Sequence, residues 1–347
     1  MPVRIFFHIV IVLLISCLNA EAGQESITLH YPPDGSVLEY NMLEISMSVP
    51  AGSADSIKVY VNDEEEPLNV IADQEYECFS VQLKLGVNRI NIIAVKGDYQ
   101  VYKTELKVFR RSDLASEYIK TPDGFKKDFF HMKEWKQCAR CHILSPIEYD
   151  RKPISPYTFK NMDKQALLAV TSTCYMCHNK ITANKYVHGP AAVWSCLSCH
   201  DPEAEPKYSV KKPDAEICYE CHTEQKKDRS LKKYSHGPVT IGKCTICHSP
   251  HASENPFNLV KPTWNLCVNC HAEKASGMHV LGDSMFKEGH PTRNRPDPVR
   301  TGKELTCASC HNPHASNYPH LWAFEVETIF DLCQKCHNKQ TDDVKPN

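Results

Sequence analysis

Cys138-Ala139-Arg140-Cys141-His142 is the first of eight occurrences of one short pattern, Cys-x-x-Cys-His, in this chain. The others begin at Cys174, Cys196, Cys218, Cys244, Cys267, Cys307 and Cys333. Their second cysteines are Cys177, Cys199, Cys221, Cys247, Cys270, Cys310 and Cys336, and their histidines are His178, His200, His222, His248, His271, His311 and His337. This is the attachment signature of c-type haem. Two thiols a fixed short span apart add to the two haem vinyl groups, and the adjacent histidine reaches the iron as proximal ligand. At this cysteine and histidine content, chance would supply roughly a twentieth of one match. Zinc ribbons also use paired Cys-x-x-Cys units, and small secreted domains use disulfides. Neither requires a histidine after every second cysteine.

The rest of the composition fits around that array. A length of 347 residues allows two domains. The formal net charge of −2 gives no basic stretch for nucleic acid. Of 18 cysteines the motifs take all but Cys17 and Cys78. Residues 1–22 read as a secretory signal, with Arg4 ahead of an apolar run from Ile5 to Leu18 and Ala20-Glu21-Ala22 as the small-x-small cleavage site. The run is short for a membrane span. Leu14-Ile15-Ser16-Cys17 resembles a bacterial lipobox, which implies membrane attachment through a lipidated Cys17 instead. Either reading sends the chain to the periplasm or cell surface.

Residues 23–110 hold no motif. Leu43, Ile45, Met47 and Val49 alternate with small or polar residues, as do Ile57, Val59 and Val61. Phe79, Val81 and Leu83 follow, then Ile90, Ile92 and Ala94, then Tyr102, Thr104, Leu106 and Val108. Period two marks half-buried strands. Pro32-Pro33-Asp34-Gly35, Asn62-Asp63, Gly86 with Asn88, and Gly97-Asp98 mark the turns between them. Six or seven such strands predict a β-sandwich. Together with Leu85-Gly86-Val87-Asn88-Arg89-Ile90, they resemble bacterial immunoglobulin-like modules. The module reads as a docking unit or spacer, or as a solubilising cap. Cys78 is expected to pack as a small apolar side chain. His30 reads as a surface histidine, not an iron ligand. Residues 111–117 read as a linker.

From residue 118 to 347 the motifs fall into four paired units, each preceded by a histidine: His131, His188, His236 and His290. Tyr186-Val187-His188-Gly189-Pro190 and Tyr234-Ser235-His236-Gly237-Pro238 are near-identical words. So are His248-Ser249-Pro250-His251-Ala252-Ser253 and His311-Asn312-Pro313-His314-Ala315-Ser316. This region resembles the multihaem cytochromes with doubled Cys-x-x-Cys-His motifs of metal- and sulphate-respiring bacteria. Two units depart from the pattern: the second has Glu203 where later units have His251 and His314, and the first has no histidine at that offset.

Outside the motifs this region contains His131, His188, His236, His251, His279, His290, His314 and His320. Eight histidines for eight haems allow bis-histidine ligation throughout. About 29 residues per motif, many prolines and little sustained apolar periodicity cannot build an aliphatic core. The haems must supply the apolar mass, wrapped in loops and short helices, one of them expected at Asp163–Val170. Haems so crowded lie close together, and bis-histidine iron lacks the thioether that raises potential. The expectation is an exported octahaem electron carrier for anaerobic respiration or extracellular electron transfer. Its partners would be redox proteins, either other cytochromes or a membrane quinol oxidoreductase. One alternative is an octahaem reductase or oxidase of a small nitrogen or sulphur compound, which needs an open iron. The other is a subunit of an extracellular cytochrome filament, with His30 or His320 ligating between chains.

Overall fold

The computed structural model describes residues 26–68, 70–72, 74–136, 138–147, 150, 172–275, 280 and 290–337. The signal segment with Cys17, the helix expected at Asp163–Val170, and His279 lie outside the described residues.

The alternating runs form strands. β1 (Thr28–Tyr31), β3 (Met42–Ser48) and β7 (Tyr76–Gln82) make one antiparallel sheet in the order β1-β3-β7. The second sheet runs β10-β2-β9-β8-β4-β5, with β6 also pairing β4. Its strands are β2 (Ser36–Leu38), β4 (Ser56–Val61), β5 (Glu64–Glu65), β6 (Val70–Ile71), β8 (Gly86–Lys96), β9 (Tyr99–Arg110) and β10 (Lys126–Lys127). Asn62 and Asp63, both at positive φ, turn β4 into β5, which is the backbone a tight hairpin needs.

The two sheets face each other across one core. Leu43, Ile45, Met47, Phe79 and Val81 from the first sheet meet Ile57, Val59, Ile90, Ile92, Ala94, Leu106 and Val108 from the second. Ile90, Ile92, Ala94 and Val108 are 0% exposed. The alternation that puts Phe79 and Val81 inward puts Cys78 on the outer face, where it is exposed. Cys78 is therefore not a core residue, contrary to the sequence expectation.

The segment read as a linker is packed. Arg111 pairs with Asp113 and donates to the Ile119 carbonyl at 2.9 Å. Tyr118 lies over Gly86, where a Cβ would come within 2.9 Å of its ring. Beyond it, β10 adds a parallel edge to β2, with the Lys126 N–H donating to the Gly35 carbonyl at 2.9 Å. Gly35 has φ +77°, and a Cβ there would stand 2.7 Å from the Gly124 carbonyl oxygen. Only glycine permits that approach.

The motif region differs in kind. Among the described residues its helices are at most eight residues long, such as Thr223–Ser230 and Thr263–Cys270. Among the described residues from 172 onward, the buried apolar side chains are Val193, Trp194, Ala252, Leu266, Leu305, Ala315 and Val326. That is too little to hold the region by aliphatic packing. No described helix is long and apolar enough to cross a membrane.

Candidate haem-binding sites

Each motif is one helical turn. The motif histidine N–H donates to the carbonyl of the first cysteine in all eight, at 2.8–3.1 Å. Cysteines three apart then share one face of the turn, with the histidine directly after them.

Six motif histidines face a non-motif histidine at nearly one separation. Ring centroids are 6.2 Å apart for His178 and His131, 6.1 Å for His222 and His188, and 6.0 Å for His200 and His251. They are 6.2 Å apart for His271 and His236, 6.0 Å for His248 and His314, and 6.2 Å for His337 and His290. A ligating imidazole nitrogen lies about 2 Å from its metal and the ring centre about 1 Å further back, so trans imidazoles on one iron have centroids about 6 Å apart. The described residues contain no group of three or more His, Cys, Asp or Glu that could hold a bare metal ion. The gaps fit a haem iron held from two sides.

Proton placement agrees. Nδ1–H of His200, His248 and His311 donates to the carbonyls of Tyr208, Phe257 and His320, at 2.7, 2.8 and 2.7 Å. His188 donates to the Pro250 carbonyl at 2.9 Å and His290 to that of Pro291 at 2.8 Å. A carbonyl on Nδ1 fixes the tautomer and leaves the Nε2 lone pair for iron. Burial, with neighbouring cationic groups adding to it, holds His131, His251 and His314 down at about 4. The shift favours the neutral ring, the form that ligates.

The pairs follow a rule. The histidine leading a unit faces that unit's second motif. The histidine three residues after a first motif crosses to the first motif of the preceding unit: His251 faces His200, and His314 faces His248. Two-residue ladders make the crossing. β11 (Tyr186–Val187) pairs β13 (Ala252–Ser253), and β12 (Tyr234–Ser235) pairs β14 (Ala315–Ser316). The His188 and His236 N–H groups donate to the carbonyls of His251 and His314, at 2.8 and 2.9 Å.

Cysteines of successive motifs are neighbours in chain order. The thiols of Cys174 and Cys196, Cys218 and Cys244, and Cys267 and Cys307 lie side by side across unit boundaries. Within units, after burial, the Cys221, Cys270 and Cys336 thiols push Cys199, Cys247 and Cys310 up, so these cysteines are neighbours too. The first unit rests on the outer face of β7: burial and then Cys78 push up both Cys138 and Cys177.

Among the described residues, two motif histidines and one predicted ligand, His320, fall outside this scheme. Among the described residues no imidazole stands opposite His142 or His311. His311 stacks on Trp322 at 4.6 Å. His320 is exposed and offers its carbonyl, not its ring, to His311; it occupies the place of Phe257 in the preceding unit, with φ 55° against 59°. His30 is committed to the Ser48 hydroxyl at 3.0 Å and packs on Tyr76. Sequence reasoning did not find Tyr40, whose ring meets His251 edge-on at 5.3 Å. It also missed Asp214, which accepts from the Thr245 N–H and hydroxyl and ties unit two to unit three.

Paired thiols beside imidazoles spaced for iron define the polypeptide of a multihaem c-type cytochrome carrying covalent haem c, and this chain is one. Residues 188–227, 236–276 and 297–342 match the family described as the doubled CXXCH motif. The chain is 31% identical over 201 residues to the multiheme cytochrome MtrA of Shewanella baltica (strain OS185). That match covers 52% of this chain and 58% of the relative, so the chain spans little more than half of that relative. A solved FMN-binding β-glucuronidase from Facaelibacterium prausnitzii L2-6 overlaps 30% of this chain and 13% of its own, at 15% identity and a TM-score of 0.21, too slight to bear on the fold.

Proposed function

We propose that this is an exported electron-transfer protein carrying eight covalent haems, most of them bis-histidine. The observation that carries the reading is the set of six imidazole pairs at 6.0–6.2 Å. Bound haem c supplies a one-electron ferric/ferrous couple. Imidazoles on both sides leave no coordination position for a substrate at those six sites, which favours electron transfer over turnover. Cysteine contacts from each motif to the next support a row of sites in chain order. Redox proteins such as other cytochromes, or a membrane quinol oxidoreductase, would donate to and accept from the two ends. Residues 23–110 read as an immunoglobulin-like module, and the contacts of Cys78 and Tyr40 give it a second role as a platform for the early units.

Voltammetry of the full holoprotein adsorbed on an electrode tests this. The expected result is a reversible envelope worth eight electrons per chain, centred below the range of His/Met cytochromes. A catalytic current on adding nitrite, hydroxylamine or sulphite would make the protein an enzyme instead.

A further inference from the structure

The ligand-crossing rule assigns the position opposite His142 to a residue that is not histidine. Ligands for first motifs come from the following unit, three residues past its own first motif histidine. For the motif ending in His142, the following unit is the second, and that residue is Glu203. The register is secure. Asp201-Pro202-Glu203-Ala204 aligns with Ser249-Pro250-His251-Ala252 and Asn312-Pro313-His314-Ala315. The loops after them fold alike, with carbonyls of Tyr208, Phe257 and His320 at φ 64°, 59° and 55° accepting from the motif histidines.

Unit one lies against this segment, through side-chain contacts and not through the two-residue ladder of the later units. The His131 ring lies 4.6 Å from Tyr208, and the Lys207 N–H donates to the Met132 sulphur at 3.2 Å. A second observation sets His142 apart. Among the described residues its buried Nδ1 has no hydrogen-bond partner, whereas those of the three other first-motif histidines are anchored on carbonyls.

We infer that the haem site at Cys138, Cys141 and His142 has an exchangeable sixth position, faced by Glu203 instead of an imidazole and open to a small neutral ligand. This rests on the reading that haem is attached there. A carboxylate is a hard oxygen donor and a weaker partner than imidazole for low-valent iron. Glu203 is exposed, so no packing clamps it in place. With Asp201 beside it, the position repels anions and admits uncharged molecules. The site lies at the end of the row next to the β-sheets, so the chain carries one ligand-accessible terminus.

The probe is carbon monoxide, added to the reduced full-length holoprotein. Wild type should bind one equivalent per chain more than Glu203→His, in which a histidine completes the pair. Glu203→His should also gain one low-spin bis-histidine signal in the ferric electron paramagnetic resonance spectrum. Glu203→Ala should keep the full carbon monoxide stoichiometry. Equal stoichiometry in wild type and Glu203→His, with haem fully loaded, would overturn the inference: another residue would then hold the sixth position. A mass showing a bare Cys138–Cys141 peptide would overturn the underlying reading instead, and the two failures are told apart by that mass alone.

Discussion

Replacing His251 with alanine should open an iron in a different unit from the one His251 belongs to. His251 follows the motif Cys244–His248, yet its ring lies 6.0 Å from His200, with the planes 11° apart. Alanine keeps the His251 backbone carbonyl that accepts from His188, so the ladder between β11 and β13 persists. The loss is the imidazole and its edge contact with Tyr40, worth about 0.5–1.5 kcal/mol as an aromatic pair. The protein should therefore stay folded with one additional open site among eight motifs. Reduced His251→Ala should bind one carbon monoxide per chain beyond wild type, at the haem attached to Cys196 and Cys199. Two further backgrounds locate it. Removing Cys196 and Cys199 should abolish the added binding, and removing Cys244 and Cys247 should leave it. If the added binding vanishes in the second background and survives in the first, ligation is local to each unit and the crossing rule is wrong.

The β region should fold by itself, because every residue of its core lies between Ile27 and Val108. A fragment of residues 23–128, which includes β10, should unfold cooperatively, and Ile92→Ala should destabilise it by about 2–5 kcal/mol in urea melts. Burial pushes the Asp297 carboxyl up, but hydrogen bonds from Ser309, Arg300 and the backbone N–H groups of Val299 and Arg300 outweigh it and hold it at about 2. A depressed carboxyl stabilises the fold above its unfolded value of about 4, and that contribution fades as pH falls toward 2. Asp297→Asn should lower stability at pH 7 by about 1–3 kcal/mol and flatten the acid limb of the unfolding curve. If Cys17 is lipidated, Cys17→Ala should release the protein from membranes and end labelling by a diacylglycerol precursor; a wild-type mature N-terminus at Gly23 would refute lipidation.

The β-sheets are legible in the sequence because their core residues alternate without interruption, and Ile90, Ile92 and Ala94 mark a buried face by their spacing alone. The same alternation places Cys78 outward, so the period outranks the apolar character of a lone thiol. β10 carries no signal, since two exposed lysines have no period. The motif turns are fully legible: the spacing of Cys138, Cys141 and His142 is itself the geometry of one helical turn. The pairing of imidazoles between units is not. It depends on two-residue ladders whose residues, such as Tyr234-Ser235 and Ala315-Ser316, carry no mark of their partner. Glu203 therefore reads as a departure in the second unit, although its place in the scheme belongs to the first. His320 shows its nature only by alignment within the chain. Laying the two long words side by side puts it on Phe257, which is not a ligand type.

The most direct test of the central claim is the intact mass of the mature, acid-denatured protein made in an anaerobic host with cytochrome maturation. Acid releases metal ions and non-covalent groups but leaves thioether-bound haem in place. The account predicts the mature polypeptide plus eight haems. A mass equal to the bare polypeptide, with zinc recovered in the supernatant, would contradict it.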